Sequence, residues 1–482
     1  MTASSDASGG GRPRAHPVYG GMLSLLGALL TFSTALAEPL PATGSWTPTG
    51  ARWVHYRALA QAERDQIYGR LVELCDGAGH RLAGSPGQKK AEEIGAAWLK
   101  KDGLTVKLEP VKVPVWVRGE EKLTLMGERP EALDLLALGG TVGTPPGGIE
   151  APVVVIKDFS ELGPHVKGKI VVYNRPMGTG FPAISEYGPA VAYRGRGASR
   201  AAEFGAVAAL VRSVTARSLG SPHTGAMGYD PAFPRIPTAA ITTEDADRLE
   251  RLSARGEVRL RLVLGAHTLP DADAVNVIGE LRGKDLPDEV VVIGGHLDSW
   301  DVGQGAHDDG AGIVESVEAL RLLAKGGAPR RTVRVVLFAN EENGLRGGLG
   351  YEKAHTRERH VAAIESDLGG GGPRGWGVTG TPAQHAWLAP GLVGNGMTLS
   401  HKGGGADISP LTAKGVLSIG LLPDHEHYFD VHHTRADTVD KVDPAALADS
   451  TAALAALLEY VANAPDAPPV VAPTSVGGED DH

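Results

Sequence analysis

A chain of 482 residues is too long for one ordinary hydrophobic core, and its length indicates about three domains, or two with an insertion. Its hydrophobic share of 42% and its charged share of 22% are those of a globular protein. The formal net charge of −10, without a basic cluster, argues against a nucleic acid as partner.

The N-terminus has the order of features found in a secretory signal peptide. Arg12 and Arg14 precede an apolar segment over 22–36, and Ala35-Leu36-Ala37 supplies small residues around a cleavage site. The apolar segment is short for a membrane span. We therefore predict cleavage after residue 37, export to the periplasm or the medium, and no membrane span in the mature chain. The alternative is a buried N-terminal helix.

The next predicted elements are two helices, and the sequence pattern after them changes from helical to β-rich. Residues 53–74 and 88–101 carry apolar side chains at helical spacing, and 104–108 reads as a strand. Beyond them, short β-rich runs alternate with glycine and proline. We expect 38–112 to be the N-terminal part of one domain and 113–268 to be a mostly-β insert, which would cover or shape a cleft.

From residue 274 onward, strand and helix alternate. This order predicts an α/β domain over 269–464, with a mixed, mostly parallel sheet between two layers of helices. The tail over 465–482 is rich in proline, glycine and acidic residues, and we expect it to be disordered. The main predicted strands are 289–294, 332–338, 361–364 and 416–421.

Candidate site residues follow each of these strands, which is where sites form in an open α/β sheet. In chain order they are His296 with Asp298, Glu341 with Glu342, Asp367, and the acidic, His-rich segment 424–433. Asp308 and Asp309 open the helix after the first strand, where a simple N-cap is the alternative role. So many carboxylates in one cleft would cost too much free energy unless cations were bound.

The ligand types favour zinc, which manganese or cobalt could replace, because imidazole and carboxylate are present without a thiolate. The groups are too many for one tetrahedral ion, whereas two metals about 3.5 to 4 Å apart would use them all. Glu341 and Glu342 face opposite ways on an extended backbone, so one should bind metal and the other act as general base. Spacing leaves the choice between His432 and His433 open. The chain contains no H-E-x-x-H and no G-x-S-x-G, which argues against a single-zinc protease helix and a serine hydrolase.

Taken together, these motifs resemble those of the co-catalytic dizinc aminopeptidase family, zinc peptidases that carry a protease-associated domain. The matching segments are HLDSWDVGQG over 296–305, Asp308-Asp309-Gly310, Glu341-Glu342, Glu365-Ser366-Asp367, Asp407-Ile408-Ser409 and His432-His433-Thr434. The likeness extends to 81–85 and 116–120, so it covers nearly the whole predicted mature chain. It implies a zinc-exopeptidase-like fold in which the insert is the protease-associated domain.

The resemblance also implies a role for each site residue. The metal ligands would be His296 and Asp367 on one zinc, Glu342 and His433 on the other, and Asp308 between them. Asp298 would orient His296, and Glu341 would be the general base. His307 departs from the small or apolar residue expected beside the bridging acid; we expect a bystander rather than a third nitrogen ligand.

By the same resemblance, the chain is expected to hydrolyse dipeptides and other short peptides with a free amino terminus. A metal-bridging water would attack the peptide carbonyl after Glu341 takes its proton. Asp407 would contact the substrate amine or its pocket, and Lys402 or Arg435 would meet the substrate carboxylate, although solvated charges are the commoner role for such residues. Relatives suggest a homodimer.

Three other functions fit the same fold. The nearest is a broad aminopeptidase acting on longer peptides, but an insert that narrows the cleft favours dipeptides. Non-catalytic receptor ectodomains lose ligand residues, whereas every ligand position is filled here. A single-zinc glutaminyl cyclase would lack the partner of His296. Metal content, at about two, one or no zinc per chain, separates the dizinc enzyme from the cyclase and the ectodomain.

Overall fold

The computed structural model describes residues 38–39, 48–180, 184–217, 219–392 and 397–469. The predicted leader with its cleavage site, and residues 470–482 of the predicted tail, lie outside the described residues. Among the residues described, one helix, Pro444–Asn463, has the length and apolar composition to cross a membrane. Most of that helix is buried inside the fold, as in a core helix of a globular domain.

Helices account for much of both ends of the chain. In chain order they are α1 (Pro48–Ala62), α2 (Arg64–Ala78), α3 (Pro86–Lys101), α4 (Ile184–Ala202), α5 (Thr243–Ser253), α6 (Ala311–Ala324), α7 (Arg346–His355), α8 (Pro382–Leu388), α9 (Ser409–Thr412), α10 (Tyr428–Val431) and α11 (Pro444–Asn463). The single helix predicted over 53–74 is two helices. The chain leaves helical geometry at Glu63, whose side chain pairs with Arg321 and Lys325 of the α6 region.

The strands form two sheets within the described part of the chain, one of nine strands and one of eight. In chain order they are β1 (Glu38–Pro39), β2 (Thr105–Val117), β3 (Glu121–Met126), β4 (Glu131–Leu133), β5 (Leu135–Ala137), β6 (Ile149–Ile156), β7 (Ile170–Tyr173), β8 (Ala208–Arg212), β9 (Thr238–Ile241), β10 (Arg259–Leu264), β11 (His267–Leu281), β12 (Leu286–His296), β13 (Arg331–Phe338), β14 (Arg359–Glu365), β15 (Pro373–Thr379), β16 (Thr398–Ser400) and β17 (Leu417–Pro423).

The nine-stranded sheet carries the predicted α/β domain and has the order β1-β16-β15-β17-β14-β12-β13-β11-β2. Its central strands β17, β14, β12 and β13 are parallel, while β15, β11 and β2 add antiparallel pairs. All eight residues of β13 are buried, as expected for a strand covered on both faces. Helices α6 and α11 pack in the larger core, and α7 and α9 pack against the opposite face. The predicted fold class is confirmed.

The eight-stranded sheet is built from residues between the long strands β2 and β11. Its order is β4-β3-β10-β6-β7-β8-β9-β5, and β6 to β9 run parallel with α4 and α5 packed beside them. Strands β2 and β11 pair antiparallel from Thr105 to Val117, so the chain leaves and re-enters the larger sheet along one two-stranded stem. This stem joins the second sheet to one edge of the larger sheet.

Candidate metal centre

The parallel strands bring the predicted site residues to one edge of the larger sheet. In the register of β12, His296 pairs with Phe338 of β13, and Gly294 pairs with Glu365 of β14. The residues that follow these strands therefore emerge side by side. An irregular turn over Ala306–Gly310, in which Asp308 and Asp309 leave helical geometry, then carries Asp308 to the same edge.

Asp308 lies between two imidazole–carboxylate pairs. Its Oδ1 is 3.2 Å from Nε2 of His296, and that nitrogen is 3.3 Å from Oδ1 of Asp367. Its Oδ2 is 3.0 Å from Nε2 of His433, and that nitrogen is 3.2 Å from Oε2 of Glu342. The two oxygens of one carboxylate thus face two separate sets of potential ligand atoms.

Asp309 belongs to this cluster as well, although the family resemblance gave it no role and the sequence suggested a helix N-cap as the alternative. Its Oδ2 accepts a hydrogen bond from the backbone N–H of His296 at 3.0 Å, and its Oδ1 accepts one from Gly312 N–H at 3.1 Å. Asp309 therefore joins the end of β12 to the start of α6. It also lies with His296 and Asp367 in a group whose atoms could hold a metal ion.

Both neighbouring histidines reach Asp308. Nε2 of His432 is 3.4 Å from its Oδ2, and the rings of His432 and His433 stack with centroids 3.6 Å apart. Nδ1 of His433 lies 3.2 Å from the backbone carbonyl of Thr224. A carbonyl that takes the proton of Nδ1 leaves Nε2 free for a metal, which favours His433 over His432 as a ligand.

Burial and neighbouring charges shift the pKa values of the acids in this cluster. Burial raises the pKa of Glu342 to about 7 and that of Glu365 to about 8, and nearby carboxylates add to both effects. Burial also works to raise the pKa of Asp308, but the imidazoles of His296 and His433 that face its carboxylate outweigh burial and hold the pKa well below its usual value. A divalent cation would relieve this crowding of acids.

Two buried carboxylate oxygens in the cluster, Oδ2 of Asp308 and Oε1 of Glu342, make no hydrogen bond of good geometry. Buried polar atoms are normally paired, and each exception calls for a partner. Asp308 and Glu342 form, with His296, a three-residue group that could hold a metal ion. The donor set of imidazole nitrogens and carboxylate oxygens suits zinc. The residues present thus fit a metal site.

The Asp298 carboxylate holds the turn that carries the two glutamates. It accepts hydrogen bonds from the backbone N–H groups of Glu341 at 3.0 Å and Glu342 at 3.3 Å. Nδ1 of His296 lies 3.0 Å from the backbone carbonyl of Asp298 but 3.8 Å from its carboxylate. Asp298 therefore contacts His296 mainly through its backbone carbonyl.

The remaining predicted site residues are distributed unevenly around the cluster. Asp407 is buried beside Glu365, and both of its carboxylate oxygens are without a hydrogen-bond partner. Burial, and then the Glu365 carboxylate, raise the pKa of Asp407 well above its usual value. Lys402 is exposed, and Arg435 is directed toward Glu121, 4.0 Å away.

The ring nitrogens of His307 are both taken up by backbone groups. Its Nδ1 accepts a hydrogen bond from Gly370 N–H at 3.1 Å, and its Nε2 lies 3.2 Å from the Lys441 carbonyl. His307 appears in none of the metal-holding groups found among the described residues. These contacts agree with the expected bystander.

The loop after β12 joins the metal cluster to the second sheet. The edge of the Trp300 ring packs on His433, with ring centroids 5.7 Å apart. Arg118 donates to the carboxylate of Asp301 through Nε at 2.8 Å, and to the backbone carbonyl of Ala137 at 2.6 Å. Residues 300–301, just after the end of β12, are thus bound to the entry and body of the second sheet.

The fold and this cluster are those of a metallo-exopeptidase. The model of peptidase family M28 matches residues 276–458, and that of the PA domain matches residues 143–249. The chain is 42% identical over 410 residues to carboxypeptidase Q of Bos taurus, which covers 83% of this chain and 85% of that relative. This chain belongs to peptidase family M28, so the resemblance to the dizinc peptidases is confirmed.

Two solved structures extend the comparison. The peptidase M28 precursor from Shewanella amazonensis SB2B superimposes with a TM-score of 0.83 at 35% identity, covering 88% of this chain and 99% of that one. BSAP, a zinc aminopeptidase from Bacillus subtilis, has a TM-score of 0.63 at 21% identity, with coverages of 85% and 98%. The second likeness concerns the fold alone.

Proposed function

We propose that this chain is an exported dizinc exopeptidase that hydrolyses dipeptides and other short peptides with a free amino terminus. The observation that carries the proposal is the position of Asp308, whose two carboxylate oxygens face two imidazole–carboxylate pairs. A carboxylate so placed suits a bridge between two ions. The likeness to carboxypeptidase Q over most of the chain supports an exopeptidase.

The ligands divide into two sets around that bridge. His296 and Asp367 would hold one zinc, His433 and Glu342 the other, and Asp308 both. When bound, the two ions would supply a water of lowered pKa and polarise the scissile carbonyl. Manganese or cobalt would suit the same ligand set.

Glu341 is proposed as the general base. Its side chain is partly exposed at the cluster, and its neighbour Glu342 is buried, so the two face different surroundings. Burial, and then nearby carboxylates, raise the pKa of Glu341, which suits a group that must accept a proton. Glu341 would take the proton of the attacking water and deliver it to the leaving amine.

Asp407 is the proposed contact for the substrate amine. Its carboxylate is buried among the acids of the cluster and has no hydrogen-bond partner, so an ammonium group would satisfy it. A dipeptide suits an exopeptidase, because its single peptide bond is both the first and the last of the substrate.

The test is hydrolysis of a dipeptide by purified protein before and after chelation, with zinc added back. We expect activity to disappear on chelation and to return with zinc, and Glu341→Gln to abolish it. A longer peptide with the same first residue should be cleaved more slowly. Activity that survives chelation would contradict the proposal, and preferred cleavage of the longer peptide would favour the broad aminopeptidase.

The organisation of the chain forms part of the proposal. We assign 38–112 and 269–464 to the peptidase domain and 113–268 to the protease-associated insert, and we propose a homodimer. Export predicts that the mature protein begins at Glu38, which N-terminal sequencing of secreted or periplasmic material would test. An intact leader on that material would contradict cleavage, and a monomer in sedimentation would contradict the dimer.

A further inference from the structure

Arg194, on α4 of the second sheet, lies beside the metal cluster without an anionic partner. Its NH1 is 3.4 Å from Nδ1 of His433, and its Nε donates to the backbone carbonyl of Ala226 at 3.3 Å. No carboxylate in the described ranges of the chain pairs with this half-buried guanidinium. Only the imidazole ring of His433 therefore separates this unpaired cation from the other proposed ligands.

The contact with His433 does not satisfy Arg194. Nδ1 of His433 also lies 3.2 Å from the Thr224 carbonyl, and a histidine that binds metal through Nε2 carries its proton on Nδ1. Such a nitrogen donates to the carbonyl and cannot accept from a guanidinium. Arginine has five N–H donors and no acceptor. Most of the N–H donors of Arg194 are therefore available to another acceptor.

Several other buried or half-buried arginines have their acceptors within the fold. Arg118 pairs with Asp301, Arg212 with Asp247, and Arg334 with Glu280 and Glu358. Arg81, which is fully buried, donates to three backbone carbonyls. Arg194 differs from them in having one backbone carbonyl and no carboxylate, which is the condition expected of a residue that binds an external anion.

The surroundings hold Arg194 in place. Tyr187, two helical turns earlier on the same face of α4, lies with its ring centroid 5.6 Å from the guanidinium carbon. The Tyr187 ring also meets the edge of His432, with centroids 5.5 Å apart. Gly225 leaves space for the guanidinium, since a Cβ there would come within 2.4 Å of its central carbon.

We propose that Arg194 binds the C-terminal carboxylate of a dipeptide substrate and so limits the enzyme to dipeptides. This inference rests on the proposed function. The carboxylate of a dipeptide lies one residue beyond the scissile bond, and one residue spans about 3.8 Å. Only the His433 ring separates the Arg194 guanidinium from the rest of the cluster, so a carboxylate one residue beyond the scissile bond would lie within its reach. The planar fork of the guanidinium also matches the two oxygens of a carboxylate. Lys402 and Arg435 are more exposed than Arg194, and Arg435 is directed toward Glu121.

The test compares Leu-Ala with its C-terminal amide, which has the same free amine and the same peptide bond. The wild type should hydrolyse the acid with a kcat/KM about 10- to 100-fold higher, chiefly through KM, because a charge-assisted hydrogen bond is lost with the amide. Arg194→Gln should lower kcat/KM for the acid to about the level of the amide and so erase this preference, with a much smaller effect on the amide. Arg194→Lys should restore part of it.

Arg196→Gln is the matched control, because Arg196 is an exposed arginine on the same helix. It should retain the preference for the acid. Calorimetry supplies a readout without turnover: Leu-Ala should bind the Glu341→Gln protein, and adding Arg194→Gln should weaken that binding while the zinc content stays constant.

The outcomes separate this inference from the proposed function. If the zinc-loaded wild type cleaves neither substrate, the proposed function is wrong. If it cleaves acid and amide equally well, the role of Arg194 is wrong and the peptidase stands. An equal loss of both activities in Arg194→Gln would assign Arg194 to the positioning of His433 and would also overturn carboxylate recognition.

Discussion

The carboxylate of Asp298 accepts a hydrogen bond from the backbone N–H of Glu341 at 3.0 Å. This contact joins the end of β12 to the turn after β13, and a second one reaches Glu342 N–H at 3.3 Å. The proposed base and its neighbouring ligand are therefore held by one buried acid. Asp298 acts as a positioning residue for both strands.

Asp298→Asn should lower metal affinity or kcat about 10- to 100-fold, because outer partners of a metal site contribute on that scale. The amide keeps the size of the side chain but has one oxygen for two N–H groups. Zinc competition and steady-state kinetics would measure the effect. Asp288→Asn, at the exposed start of the same strand, is the control and should change neither. Wild-type values in Asp298→Asn would remove the positioning role.

Adjacent Glu341 and Glu342 should respond differently to the same change. Glu341→Gln should lower kcat about 10²- to 10⁴-fold with zinc content unchanged, as expected when a general base is lost. Glu342→Gln should instead reduce the zinc content. Metal analysis beside kinetics distinguishes the two variants, and a Glu341→Gln protein that loses zinc would reverse the assignment.

Arg118 joins the second sheet to the residues after β12. Arg118→Met should destabilise the protein by about 3 kcal/mol, because it leaves the largely shielded Asp301 carboxylate without its cation. Activity should fall too, since the adjacent Trp300 packs on His433. Urea unfolding would measure the first effect. Adding Asp301→Asn should recover part of the stability; no recovery would argue against a specific ion pair.

His355 should give stability a pH dependence away from the metal cluster. Its Nε2 lies 2.6 Å from Glu109 and its Nδ1 2.9 Å from Glu358. Burial works to lower the pKa of His355, but these carboxylates outweigh it and raise the pKa above 6.5. A raised pKa means that the stabilisation is present below the unfolded value and is lost as pH rises through the folded value.

The Tm difference between the wild type and His355→Gln should therefore be larger near about pH 6 than near about pH 9. Both measurements lie above the range in which Glu109 and Glu358, whose pKa values are lowered, take up protons. His165→Gln, at an exposed position, is the control. A difference that grows with rising pH would contradict this assignment.

The sequence was most informative where strands end. The apolar runs of β12 and β13 predicted buried parallel strands, and parallel strands finish at one edge, so the residues after them had to meet. This reasoning brought His296, Glu342 and Asp367 together, and the family resemblance added Asp308 between them. The same reasoning placed Asp298 near these residues. It did not predict the hydrogen bond from Glu341 N–H to the Asp298 carboxylate, because that contact depends on the conformation of the turn after β13.

Other features depend on contacts that no local pattern records. Arg194 meets His433 across 239 residues of chain, and nothing around it distinguishes it from a solvated arginine. Strand β15 is rich in glycine, so it lacks a β signal and forms because β16 and β17 flank it. Helix α5, by contrast, has a local sequence signal for its start, because Thr242 is an N-cap whose side chain accepts a hydrogen bond from Asp245 N–H.

The pair of ions around Asp308 is the central claim, and anomalous diffraction at the zinc edge tests it most directly. Crystals grown with zinc should show two peaks about 3.5 to 4 Å apart, one on each side of the Asp308 carboxylate. One should lie beside His296 and Asp367, and the other beside His433 and Glu342. A single peak, or peaks away from Asp308, would contradict the account.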